Sequence, residues 1–182
     1  IALKRLRAEA APSAGYEDFR SLIENTSDVI SILDQNGFIR YLSPSVLNIL
    51  GFHPSELIGT SGFECFHPDD KARARWAFGR ALKQPGVCLP IEQRFHHKDG
   101  SWRTLETIAN NQLAAPTIRG VIVTGHDITD RKRTEQELIL SQDSYRELFE
   151  NANEIVYTHD LSGRLTSLNK AGEQLTGYSR DE

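Results

Sequence analysis

The chain has 182 residues, 38% of them hydrophobic and 25% charged, with a formal net charge of −4. That balance excludes a disordered segment, no run approaches the roughly 18 consecutive apolar residues of a membrane span, and mild acidity without a long basic stripe argues against a nucleic-acid surface. The opening IALKRLRAEAAPSAG lacks the apolar stretch of a signal peptide, and the absence of Met at position 1 leads us to expect a piece of a longer protein. Cys65 and Cys88 have no C-x-x-C spacing, which fits free thiols in a reducing, cytoplasmic compartment.

Residues 1–15 read as a linker helix whose apolar positions are Leu3 and Leu6. DVISIL (Asp28 to Leu33) and FIRYL (Phe38 to Leu42) are β-rich runs around DQNG, where Asn36-Gly37 signals a hairpin turn. A short helix is expected from Ser43 to Gly51, with Ser43 as N-cap, Pro44 in the first turn and Gly51 as the stop. His53 to Gly59 reads as a second short helix. The longest helix of the domain is expected within His67 to Gly86, with Pro68 at its start and Asp69 and Asp70 complementing the dipole. Its Ala74, Ala77, Phe78, Ala81 and Leu82 follow the spacing of one buried face. Leu89, Ile91 and Phe95 then alternate inward on a strand, the chain turns at Asp99-Gly100, and strands follow over Trp102 to Leu113 and Arg119 to Ile128. Helices grouped between antiparallel strands predict an α+β fold, a five-stranded antiparallel sheet with helices on one face.

After the last strand the chain passes at once into a charged stretch without Gly or Pro. Thr129 or Asp130 is the expected cap, and Arg131, Lys132 and Arg133 fall in the first turn, where the dipole disfavours cations by about 0.3–1 kcal/mol each. Leu138 and Tyr145 stand one heptad apart, with Leu148 and Phe149 following, a seam too thin for a tight coiled coil.

Beyond this helix the sequence repeats itself. RSLIENTSDVISILDQNGFIRYLSPSVLNILGFHPSE, from Arg20, aligns without a gap with RELFENANEIVYTHDLSGRLTSLNKAGEQLTGYSRDE, from Arg146, with Asn25/Asn151, Asp34/Asp160, Gly37/Gly163 and Gly51/Gly177 among the identical pairs. So long an interval is the size of a whole domain, not of a solenoid unit. The expected organisation is a complete domain over 16–130, a helical linker over 131–145 and the start of a second copy over 146–182. That second copy lacks the long helix and the last three strands. Its Ile155, Tyr157, Leu165 and Leu168 are therefore expected to seek cover on a neighbouring chain.

Taken together, LIENTSDVISILDQNGFIRYLSPSVLNILGF, ELIG (Glu56 to Gly59), HPDD (His67 to Asp70), HKDGSW (His97 to Trp102) and GHDITDRKRTEQEL (Gly125 to Leu138) resemble a PAS domain. The resemblance implies the sheet order 2-1-5-4-3 and a ligand cavity between sheet and helices. It marks Asp127, Ile128, Thr129 and Asp130 as the junction where the last strand becomes a signalling helix. Such domains usually sit upstream of bacterial histidine kinases or diguanylate cyclases. The expected parent is therefore a multi-domain signalling protein, with a sensor histidine kinase as the leading case, that homodimerises through its flanking helices at Leu3, Leu6, Leu138 and Tyr145.

The candidate chemistry is sparse. Haem-binding relatives carry their iron ligand on the long helix, and no His stands between Asp69 and Lys83. His96 and His97 are adjacent on a hairpin arm and point to opposite faces, so they do not chelate one ion together. Flavin-adduct relatives place a cysteine where this chain has Gly62, and Cys65 comes three residues late; a small buried hydrophobe is the expected role of Cys65. No phosphate-binding loop or nucleophile-elbow motif is present, so no metal site, no catalytic residue and no enzyme is expected. Phe78, Gln93, Glu106, Asn110 and Thr124 are the candidates for a ligand pocket, which an unidentified small molecule rather than a tightly held cofactor would occupy. A ligand-free dimerisation and spacer module is the alternative.

Overall fold

The computed structural model describes residues 26–84, 86–88 and 90–178; the linker helix expected over 1–15, with Leu3 and Leu6, lies outside them, as does Leu89. The chain divides after Asp130 into two units, each described by itself.

The first unit begins with the hairpin of β1 (Val29–Leu33) and β2 (Ile39–Leu42). The Asp34 carboxylate closes its turn by accepting from the amides of Asn36 at 2.8 Å and Phe38 at 2.9 Å, while Gly37 adopts φ +85°. A side chain at Gly37 would also run into the Phe63 ring, with Cβ only 2.4 Å from it. Helix α1 is Val46–Leu50 and stops at Gly51, φ +75°, as the sequence suggests. Its start differs from expectation. Ser43 does not cap the helix; its hydroxyl accepts from the Ile30 amide at 2.8 Å and meets the Ser45 hydroxyl at 2.7 Å, and Ser45 in turn donates to the Asp28 carbonyl. The two serines thus fasten the helix start to β1.

Helix α2 (Pro54–Leu57) carries a capping box of His53 and Glu56. Two 3-10 turns follow, Gly62–Cys65 and Pro68–Asp70, and the second leads into α3 (Lys71–Lys83). The long helix is therefore shorter than the sequence suggests, because Pro68 starts a tight 3-10 turn and Asp70 turns its carboxylate aside to the sheet. Ala74 and Ala81 are buried on its inner face.

Strands β3 (Gly86–Val87), β4 (Ile91–His96), β5 (Trp102–Gln112) and β6 (Gly120–Asp127) complete the sheet. Its order is β2-β1-β6-β5-β3, with β4 also paired to β5, and all pairings are antiparallel. Strands β3 and β4 share one edge position, because Pro90 has no N–H to donate to a ladder and the register moves by one residue between Val87↔Asn110 and Ile91↔Thr107. Counted by position, this is the expected order 2-1-5-4-3, and the helices lie on one face. The core joins Val29, Ile39, Leu42, Val46, Leu50 and Leu105, each contributing about 1.5–3 kcal/mol by burial.

In the second unit, the hairpin of β7 (Tyr157–His159) and β8 (Leu165–Leu168) leads to helix α5 (Lys170–Thr176). It repeats the first hairpin bond for bond. Asp160 accepts from the Ser162 and Arg164 amides, Gly163 takes φ +85°, and Gly177 ends the helix at φ +77°. Where Ser43 serves β1, Asn169 accepts from the Val156 amide at 3.0 Å. Leu168 is buried, whereas Ile155, Tyr157 and Leu165 stay exposed.

Candidate ligand cavity and signal junction

Between the sheet and the helical cover lies a cavity of about 130 Å³. Strands β1, β4, β5 and β6 supply one wall through the residues whose parity turns them inward, Ser31, Gln93, Thr107 and Val123 among them; Phe63, Phe66, Ala74 and Phe78 supply the other. The alanines on α3 let helix and sheet approach closely, which keeps the volume small.

Of the five residues expected in the pocket, Phe78 and Gln93 line it. Glu106, Asn110 and Thr124 do not: they are on the opposite face of the sheet, in register with His126, Ile122 and Ile108 respectively. Each error is one residue. Thr107 lines the cavity beside Glu106, Val123 and Gly125 line it beside Thr124, and Asn111, next to Asn110, reaches the helical layer, donating to the carbonyls of Ala81 at 2.9 Å and Leu82 at 3.1 Å. A strand turns every second side chain to the same face, so a shift of one inverts the whole assignment. Both faces here carry β-branched residues, and the residue that sets the parity of β5, Leu105 at 1% exposure, competes in the sequence with Ile108 on the other face.

The polar groups in the cavity are nearly all spent. Ser31 donates to the Val123 carbonyl at 3.3 Å. The Thr107 hydroxyl reaches the Ile91 carbonyl at 3.1 Å and Gln93 Oε1 at 3.4 Å. Gln93 is 5% exposed and its Nε2 has no partner among the described residues. Cys65 and Cys88, both free, also line the cavity, and burial pushes the Cys65 thiol up in pKa. It stays protonated and unreactive, a small hydrophobe as expected.

One polar clamp sets the position of Gln93. Asp70 Oδ2 accepts from the Arg94 amide and from its Nε, both at 3.0 Å, and Oδ1 from Nη2 at 3.2 Å. The Arg94 guanidinium holds the Asp70 carboxyl below the usual carboxylate range. The clamp joins the start of α3 to β4 at the residue after Gln93.

At the far end of β6 the chain enters α4 (Thr129–Asn151). The sequence reading names Thr129 or Asp130 as the cap; for the helix's first amide the acceptor is Asp127, whose carboxylate accepts from the Thr129 amide at 2.9 Å and from the Thr129 hydroxyl. Thr129 Oγ1 is occupied on the sheet, accepting from the Thr104 amide at 2.9 Å, and the Ile128 amide donates to the Thr104 carbonyl. Ile128 is 3% exposed. Asp127, Ile128 and Thr129 are brought together as one bolt between β5 and the helix, with exposed Asp130 following in the first turn. Farther along, Leu138 and Tyr145 are 58% and 65% exposed.

The histidines are dispersed: His67 accepts from the Asp69 amide, His126 pairs with Asp28 at 2.7 Å, and His159 bonds the Asp160 carbonyl. No group of three or more His, Cys, Asp or Glu side chains among the described residues could hold a metal ion. No helix among them is long and apolar enough to cross a membrane.

Comparison with known proteins agrees with this geometry. Residues 39–115 match a family model described as PAS fold and residues 143–182 one described as PAS domain. The White collar 2 protein of Neurospora crassa is 35% identical over 94 residues, which are 52% of this chain and 18% of that protein; the chain thus spans about a fifth of that relative. A sensory box histidine kinase/response regulator structure from Burkholderia thailandensis superposes with a TM-score of 0.54 at 26% identity, covering 71% of this chain and 98% of that one. The PAS domain of a Colwellia psychrerythraea protein, 21% identical, shares the fold at a TM-score of 0.56 over 63% of this chain and 98% of its own. With a sheet in the order 2-1-5-4-3, an internal cavity and a strand that runs into a helical connector, this chain belongs to the PAS domain family of sensor and signalling modules.

Proposed function

We propose that the unit ending at Asp130 senses a small molecule in its core cavity and relays the change to α4 through the Asp127–Thr129 junction. The observation that carries this reading is the double duty of one strand. Val123 and Gly125 of β6 line the cavity, and two residues past Gly125 the same strand reaches the carboxylate that caps α4. A ligand that moves β6 by a fraction of an ångström therefore acts on the helix start without any intermediary. Within the longer parent we place the module in the cytoplasm, without catalytic activity of its own, ahead of an output domain such as a histidine kinase. We also infer homodimerisation through α4, because its apolar Leu138 and Tyr145 face solvent.

Neither haem nor flavin suits the cavity. No histidine lines it, and its volume of about 130 Å³ is close to the roughly 150 Å³ of an engineered cavity that holds benzene.

Hydrogen exchange on the full chain tests the relay without any ligand. A Cβ at Gly125 would come within 3.1 Å of Leu105 Cδ2, so Gly125→Ala perturbs β6 from inside the cavity. Asp127→Ala removes the cap and should speed exchange in the first turn of α4 about fivefold, from a cap worth about 1 kcal/mol. If the strand couples the two sites, the double variant departs from the product of the single effects by at least about twofold. Multiplicative effects would reject the relay and favour the ligand-free spacer.

A further inference from the structure

We infer that the cavity takes a neutral, single-ring aromatic molecule carrying one hydrogen-bond acceptor, and that Gln93 holds that acceptor. The inference rests on the sensing reading above and adds the chemistry of the ligand. Size comes first: at about 130 Å³ the space is comparable to the roughly 150 Å³ that accommodates benzene, which leaves room for one ring and little more. Shape and surface follow from the aromatic wall. Phe63 meets Phe78 edge-on at 5.5 Å and Phe66 at 6.3 Å, and Phe66 meets Phe95 at 4.3 Å, so an entering ring finds both faces and edges to pack against. Charge is excluded because no Asp, Glu, Lys, Arg or His among the described residues lines the cavity, and an unpaired ion is not tolerated in such surroundings.

The remaining requirement is set by one atom. The Ser31 hydroxyl is engaged with the Val123 carbonyl and that of Thr107 with the Ile91 carbonyl. Gln93 Nε2 alone among these lining groups is a donor without an acceptor among the described residues, on a residue more than nine-tenths buried. A buried unmatched donor is costly, and a carbonyl or ether oxygen on the ligand would match it. The clamp between Asp70 and the Arg94 amide and guanidinium holds the adjoining backbone of β4, so the amide is presented from a fixed position.

The test uses three probes on the full chain and on Gln93→Leu, each titrated by NMR: acetophenone, isopropylbenzene (the same outline without the acceptor) and benzoate. Acetophenone and isopropylbenzene are both expected to bind. The ratio of their dissociation constants should shift against acetophenone by about fivefold or more in Gln93→Leu, as for loss of one hydrogen bond. Benzoate should bind at least about tenfold more weakly than acetophenone, the effect of a charge in an apolar site. A melting curve confirms that the variant folds, and Gln93→Met provides a second replacement of similar length. An unchanged ratio in both variants, benzoate binding as well as acetophenone, or no binding of either neutral probe at millimolar concentration would each overturn the inference. The relay is judged separately by the Gly125 and Asp127 cycle, so the ligand class and the relay fail independently.

Discussion

Asp70 carries more of this unit's stability than its place at a helix start suggests, and Asp70→Ala measures how much. The side chain accepts three hydrogen bonds from one residue, including the Arg94 backbone amide. Breaking a fully buried pair by removing one partner costs about 3–5 kcal/mol, but the Arg94 side chain is 41% exposed and regains water when its partner leaves. What remains is an Arg94 amide without its acceptor and two lost charge-assisted bonds, together about 2–3 kcal/mol. For a domain of about 100 residues, that lowers Tm by roughly 10–20 °C. Urea denaturation of Asp70→Ala, Arg94→Ala and the double variant should give a coupling energy of at least about 1 kcal/mol. The pH dependence is a second check. Arg94 lowers the Asp70 carboxyl in the folded chain. The stabilisation is therefore complete above the ordinary carboxylate range, near pH 4, and is lost as the pH falls through the lowered folded value. The stability difference between the natural chain and Asp70→Asn should narrow between about pH 6 and about pH 3. A loss below about 0.5 kcal/mol, the range of an ordinary surface substitution, or a difference independent of pH, would refute this account of the clamp.

Asn169→Ala should melt the hairpin and helix of the second unit while leaving the first unit's melting unchanged. Asn169 is fully buried and bonds Val156, Gly172 and Glu154, and a two-stranded hairpin is marginal without such support; retained exchange protection over residues 155–168 would contradict this. Leu138→Asp with Tyr145→Asp should weaken self-association in sedimentation by at least about tenfold, since a charge on an apolar seam is costly to bury. An unchanged dimer would place the interface elsewhere.

Local rules made much of this protein readable from its residues alone. Turns depend on backbone conformation that few residues adopt, so Gly37, Gly51, Gly163 and Gly177 marked their positions correctly, and the recurrence of Asp34 as Asp160 exposed the repeat. The helix that follows Ile128 was visible because 23 residues without Gly or Pro leave no alternative. Strand order came from the resemblance carried by several motifs together. What local rules left open was which face of each strand meets the helices.

Only tertiary packing decided that. Glu106, Asn110 and Thr124 were assigned inward and face the other way, because β5 and β6 place branched side chains on both faces and alternation then has no preferred phase. The roles of Ser43, Asp70 and Asp127 were likewise hidden. From its neighbours in sequence Ser43 reads as a helix cap and Asp70 as a dipole partner, and the family resemblance places Asp127 only within the junction. In the folded chain Ser43 and Asp70 bond β1 and β4, while Asp127 accepts from the Thr129 amide at the helix start and Thr129 Oγ1 accepts from the Thr104 amide, 25 residues away. The unpartnered amide of Gln93 is the clearest case. A glutamine in a strand announces only that it is polar; whether its donor is matched depends on Ser31, Thr107 and the aromatic wall, which no window of sequence contains.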